Sequence, residues 1–176
     1  MSTQTFTTGN DTFTVNSPSA IYDLDFLAGD DRLNVYDATS VTAHMGDGND
    51  LAVLRAGSLN IFGDAGADRF DIYKGGATLD GGADNDRFNI YVFNSLTANG
   101  GTGDDRFDVL VDGGSLTLHG DDGNDDLTGS PNARLTAVWP SSWASRETAS
   151  RTAKAKATAY APVVLMPLTD RSTSSE

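Results

Sequence analysis

An aspartate recurs at positions 11, 31, 50, 68, 86, 105 and 125, in steps of 20, 19, 18, 18, 19 and 20 residues. A fixed period of this size marks a chain built from stacked, nearly equivalent coils. The fullest copy is Gly100-Gly101-Thr102-Gly103-Asp104-Asp105-Arg106-Phe107-Asp108-Val109, of the form G-G-x-G-x-D-x-U-x with U apolar. Upstream copies are Gly81-Gly82-Ala83-Asp84-Asn85-Asp86-Arg87-Phe88, Gly63-Asp64-Ala65-Gly66-Ala67-Asp68-Arg69-Phe70 and Gly46-Asp47-Gly48-Asn49-Asp50. Shortened copies stand at Gly29-Asp30-Asp31-Arg32-Leu33 and Gly9-Asn10-Asp11-Thr12-Phe13, and a downstream copy at Gly120-Asp121-Asp122-Gly123-Asn124-Asp125-Asp126-Leu127.

With the repeated Asp as position 0, the apolar residues fall into columns. Position +2 holds Phe13, Leu33, Ala52, Phe70, Phe88, Phe107 and Leu127, and +4 holds Val15, Val35, Leu54, Ile72, Ile90 and Val109. Position −9 holds Val41, Leu59, Ala77, Leu96 and Leu116, and −7 holds Ala43, Ile61, Leu79, Ala98 and Leu118. Alternation with polar neighbours over so few residues predicts short strands with one buried face. Each coil is therefore expected to run strand, Gly-containing turn, strand, Gly-Asp turn. Stacking such coils in parallel, with the right-handed winding usual for parallel crossovers, predicts an all-β, right-handed parallel β-solenoid of about six to seven coils. The solenoid is placed at residues 1–129 and a non-repeat tail at 130–176.

Charge sharpens the chemistry. Residues 1–128 contain 22 Asp, no Glu and 6 Lys or Arg, for −16, whereas 129–176 carry +3, which together make the formal −13. So acidic a body is repelled by nucleic acid and by anionic membrane surfaces. No apolar run is long enough to span a bilayer, and the absence of cysteine excludes disulfides and thiolate metal sites. Using Asp alone suits tight turns and oxygen-ligand metal loops. Stacked carboxylates about 5 Å apart repel by roughly 3 kcal/mol at an effective dielectric of 20, so a cation is expected between the turns. An all-oxygen donor set, with glycines that let carbonyls turn inward, favours calcium over magnesium. The plainer alternative, that G-x-D only forms tight turns, weakens with each copy that falls in phase.

Gly-Gly-Thr-Gly-Asp-Asp-Arg-Phe-Asp and its copies resemble the haemolysin-type (RTX) calcium-binding nonapeptide, over roughly residues 8–129. The second turn of each coil (Gly57-Ser58, Gly75-Gly76, Asn94-Ser95, Gly113-Gly114) lacks an Asp, so the closer likeness is to the variant with one calcium turn per coil of about nineteen residues. The resemblance implies one row of Ca2+ with Asp31, Asp50, Asp68, Asp86, Asp105 and Asp125 as main ligands and Asp11 as an end member. Asp47, Asn49, Asn85, Asp104, Asp122 and Asn124 in the same turns are further candidate ligands. It also implies export by type I secretion and folding in external calcium. Met1 to Phe6 has neither the basic nor the apolar region of a secretory signal peptide, which agrees with a signal-independent route.

Outward ladders suggest other roles. Thr42, Asn60, Thr78, Thr97 and Thr117 at −8, with Ser40, Ser58, Gly76, Ser95 and Ser115 at −10, form hydroxyl ranks of the kind ice-binding faces use; exposed strand threonine is the simpler account. Arg32, Arg69, Arg87 and Arg106 read as a solvated charge ladder with Asp71, Asn89 and Asp108, and Tyr36, Tyr73 and Tyr91 as a column able to meet a glycan. His44 and His119 share one column and form no nucleophile–base set, so no enzyme is expected. The tail, with Trp139, Trp143 and an Ala-rich stretch from Ala144 to Tyr160, is open to three readings: secretion signal, cap over the last coil, or disorder. The function these features support is a calcium-binding, secreted, structural or adhesive repeat protein, meeting an extracellular surface, a glycan or ice. A non-catalytic module of a larger secreted toxin or hydrolase is the alternative.

Overall fold

The computed structural model describes residues 1–91, 94–110 and 114–129, together with the backbone of 135–138. These residues form a parallel β-solenoid of about 6 turns with coils about 19 residues apart, and no helix. One sheet has eight strands, from Ser2–Thr5 through Ile21–Asp25 and onward to Leu135–Val138; the other has seven, from Thr12–Asn16 to Asp126–Gly129. Strands alternate between the sheets along the chain, so each strand pairs only with its counterparts one coil before and one coil after. The ladder thus runs past residue 129, with Leu116 opposite Leu135 and Leu118 opposite Ala137. The remaining expectations for the tail, including Trp139, Trp143 and the Ala144 to Tyr160 stretch, lie outside the described residues.

Pairing turns the sequence columns into spatial ones. Phe70, Phe88 and Phe107 stand in register, as do Leu59, Ala77, Leu96 and Leu116. Inward residues of both sheets merge into one continuous apolar cluster. The three phenylalanine rings stack at 4.8 Å and 4.6 Å, within 6° of parallel, because the inter-strand spacing brings flat side chains to contact distance. Truncating the middle ring would leave a cavity that neighbours fixed by the ladder cannot collapse into. Phe88→Ala is expected to cost about 3–5 kcal/mol. Chemical denaturation with and without the substitution checks this, and a loss below about 1 kcal/mol would contradict a rigid ring stack.

Candidate metal centre at the Gly-Asp turns

Position 0 is in phase with the buried +2 and +4 residues, so its carboxylate points inward at the end of the core. Asp31, Asp50, Asp68, Asp86 and Asp105 are each no more than 3% exposed. The chain makes the turn before each of them by adopting positive φ at −4 and at −2. Glycine does this at Gly46, Gly82, Gly101, Gly29, Gly48, Gly66, Gly103 and Gly123, while Leu27, Asp64, Asp84 and Asp121 accept the same conformation with a side chain, at φ 64–75°.

The two oxygens of each inner carboxylate have different fates. Oδ1 accepts a hydrogen bond from the backbone N–H of position 0 in the preceding coil: Asp11 to Asp31 (2.6 Å), Asp31 to Asp50 (2.6 Å), Asp50 to Asp68, Asp68 to Asp86 and Asp86 to Asp105 (each 2.8 Å), and Asp105 to Asp125 (3.0 Å). Oδ2 of Asp31, Asp50, Asp68, Asp86, Asp105 and Asp125 is buried and has no partner. Six such atoms in one file are far from usual, since a buried polar atom left unbonded costs about 1–3 kcal/mol, more if charged. Burial is the leading reason that these carboxyls sit above the ordinary carboxylate range: Asp50 and Asp68 are pushed up to about 7, Asp86 to about 8 and Asp105 to about 6, with neighbouring carboxylates adding to the shift. Asp31 and Asp125 shift in the same direction, again chiefly through burial.

Glycine at −5 opens the space beside Oδ2. A Cβ on Gly63, Gly81 or Gly100 would come within 3.0 Å of both the Oδ2 of its own coil (Asp68, Asp86, Asp105) and the carbonyl oxygen of the next coil's glycine (Gly81, Gly100, Gly120). An orphaned carboxylate oxygen and a backbone carbonyl therefore converge between coils. Among the described residues, no three His, Cys, Asp or Glu side chains gather at one point. A cation held here would take one inner carboxylate per coil and most of its oxygens from the backbone. That donor set fits a hard cation tolerant of irregular geometry, as calcium is.

The other candidate ligands lie outside this row. Asn85, Asp104, Asn49 and Asn124 occupy position −1 and are exposed. Their ladder runs the opposite way: Asn49 Oδ1 accepts from Ala67 N–H, Asn85 Oδ1 from Asp104 N–H and Asp104 Oδ1 from Asn124 N–H, joined by Asp30 Oδ1 accepting from Asn49 N–H. Asp47 and Asp122 at −3 are exposed on the outer rim of the turn. Asp11 differs from the rest of its column, because Thr7 donates to its Oδ2 through both N–H (2.8 Å) and Oγ1 (2.7 Å). The first turn is thus closed by the chain itself.

The outward faces carry their own order. Five of the solenoid's six basic residues, Arg32, Arg55, Arg69, Arg87 and Arg106, lie on or beside the seven-stranded sheet. The ladder at their feet is less solvated than expected: Asp71, Asn89 and Asp108 are buried under the arginine stems, with Arg69 bonded to Asp71 (3.0 Å) and Asp108 bonded by both Arg87 and Arg106. These guanidinium groups hold the Asp108 carboxyl below its usual range. Tyr73 and Tyr91 stack face to face at 4.6 Å, with Arg55 over the other face of Tyr73 at 4.5 Å. Tyr73 is thus covered on both faces, while Tyr36, with Arg55 5.4 Å from its ring, is exposed. On the other sheet the hydroxyl ranks are in register but interrupted, by Asn60 between Thr42 and Thr78 and by Gly76 between Ser58 and Ser95. His44 pairs with Asp64 at 3.1 Å and stacks on Phe62, remote in the column from His119. Among the described residues no helix is long and apolar enough to cross a membrane. No protein-family model, curated protein or solved structure matches the chain.

Proposed function

We propose that this protein is a calcium-binding repeat protein whose folding is coupled to the metal, acting outside the cell in a structural or adhesive role without catalysis. The observation that carries the reading is the file of six buried Oδ2 atoms with no hydrogen-bond partner. A carboxylate row of this kind is unfavourable without counter-charge, and a divalent cation between coils would both neutralise it and tie each coil to the next. Oxygen-only donors and the resemblance to the one-turn RTX variant both agree. Extracellular calcium, at millimolar levels, matches the weak affinity expected of modules built from few carboxylates. Export by a signal-independent route belongs to the same proposal.

Titrating calcium into chelated protein by calorimetry tests it, with magnesium as the comparison. Saturable binding of several calcium ions, with little or none of magnesium, is the expected result, and absence of calcium binding would refute the proposal. One observation favours a second reading: Thr42, Thr78, Thr97 and Thr117 stand in one register, as an ice-binding face requires. Thermal hysteresis measured in calcium decides it.

A further inference from the structure

Position −5 changes character part-way along the solenoid. It holds Phe6, Phe26 and Met45 in the first three coils, then Gly63, Gly81, Gly100 and Gly120. Its side chain points into the core: Phe26 and Met45 are buried, and Phe6 stacks on Phe26 at 4.2 Å. In the five coils from Asp31 to Asp105 the core compensates, whereas the first coil keeps an aromatic ring at both positions, Phe6 and Phe13. Large −5 residues accompany smaller +2 residues, Phe26 with Leu33 and Met45 with Ala52, whereas Gly63, Gly81 and Gly100 accompany Phe70, Phe88 and Phe107. Interiors are close-packed, so the aromatic bulk moves from one column to the other as the chain proceeds.

The exchange alters what lies beside the inner carboxylate. At Gly63, Gly81 and Gly100 the space where a side chain would begin is shared by Oδ2 and the next coil's carbonyl oxygen, and at Gly120 it lies against Oδ2 of Asp125. Before Gly63, that space holds the Cβ and apolar side chain of Phe26 or Met45, and in the first coil Thr7 already satisfies Asp11. Hydrocarbon supplies no ligand oxygen.

From this juxtaposition, and resting on the calcium reading above, we propose that the solenoid is divided. Metal binds only in the gaps that open at Gly63, Gly81, Gly100 and Gly120, and the coils before them form an apolar, metal-independent segment on which the metal-bound coils assemble. The first coils are equipped for this, since Phe6, Phe13, Tyr22 and Phe26 form a connected aromatic cluster at their end of the core. The orphaned Oδ2 of Asp31 and of Asp50 are then not metal ligands.

Hydrogen exchange of the full chain, read peptide by peptide in chelator and in calcium, tests the division. Amides in the strands between residues 12 and 54 should be protected in both conditions, and those between 87 and 129 only in calcium. Native mass spectrometry should count no more than four ions, one for each glycine-lined gap. Asp31→Asn should leave that count unchanged and Asp86→Asn should lower it. The double substitution Met45→Gly with Ala52→Phe, which gives the third coil the packing of the fourth, should add one ion. Six ions, or calcium protection spread evenly from the first coil, would overturn the division while leaving calcium binding intact. Failure to bind calcium at all would refute both.

Discussion

Replacing Gly100 by alanine is expected to lower the stability of the calcium-loaded protein by at least about 3 kcal/mol, a large share of the ~5–15 kcal/mol on which a domain stands. The cause is space rather than backbone conformation. Gly100 does not have positive φ, so an alanine could adopt its dihedrals. Its Cβ, however, would fall on Asp105 Oδ2 and 2.7 Å from the Gly120 carbonyl oxygen. Neither can retreat freely, since Oδ1 of Asp105 is held by the Asp86 N–H and Gly120 belongs to the strand Ser115–Asp122. Both atoms are also assigned to the metal, so the methyl group removes ligands as well as packing. Gly76→Ala is the control, because a Cβ there would meet only the Ser95 carbonyl, at 3.4 Å. It should stay within about 0.5 kcal/mol of the parent. Denaturant midpoints in saturating calcium measure both, and equal effects of the two substitutions would mean that the space beside Oδ2 has no special use.

In chelator, the solenoid is expected to be folded at pH 5 and to lose stability on the way to pH 8, where the coils from Gly63 onward lose their structure. The folded carboxyls of Asp105, Asp50, Asp68 and Asp86 hold their protons to about 6, 7, 7 and 8, against an ordinary value of 3.8. The folded state therefore binds more protons than the unfolded one over this range, and stability falls as pH rises. The contribution is complete below pH 4 and is lost as pH passes through 6 to 8. At about 1.4 kcal/mol per pKa unit, four carboxyls together lose on the order of 10 kcal/mol between pH 5 and 8, comparable to the whole stability of a domain. Calcium reverses the sign, because protons then compete with the metal and acid weakens the complex. Thermal melts at the two pH values, with and without calcium, give four midpoints. A chelated protein equally stable at pH 5 and pH 8 would show that the inner row carries no such penalty.

The solenoid was legible because its period is written in the chain. Columns at −9, −7, +2 and +4 became the core columns unchanged, since strand side chains alternate strictly and parallel coils admit one register. The inner aspartates followed from the same phase. What escaped depends on atoms rather than positions. Asn49, Asn85, Asp104 and Asn124 have ligand chemistry and sit next to the inner row, yet the opposite side-chain direction at −1 sends them to a backbone ladder. The orphaned state of Oδ2 depends on where Oδ1 bonds, which composition does not encode. Burial of Asp71, Asn89 and Asp108 accompanies arginines bonded to them from two residues away in the same strand and, at Asp108, also from the preceding coil. The strand Leu135–Val138 lacks the Gly-Asp turn that marks the others, so only pairing reveals it. The −5 column was readable all along: Phe6, Phe26, Met45 and then four glycines lie at constant offset. It carries meaning only once its side chain is seen to share space with Oδ2.

The most direct test of metal-coupled folding is far-UV circular dichroism at neutral to slightly alkaline pH, as calcium is added to chelated protein with magnesium in parallel. Metal-coupled folding predicts a cooperative gain of β-structure at high micromolar to millimolar calcium and no comparable change with magnesium. A protein already fully β-structured in chelator, and unmoved by calcium, would contradict it: the Gly-Asp turns would then be turns and nothing more.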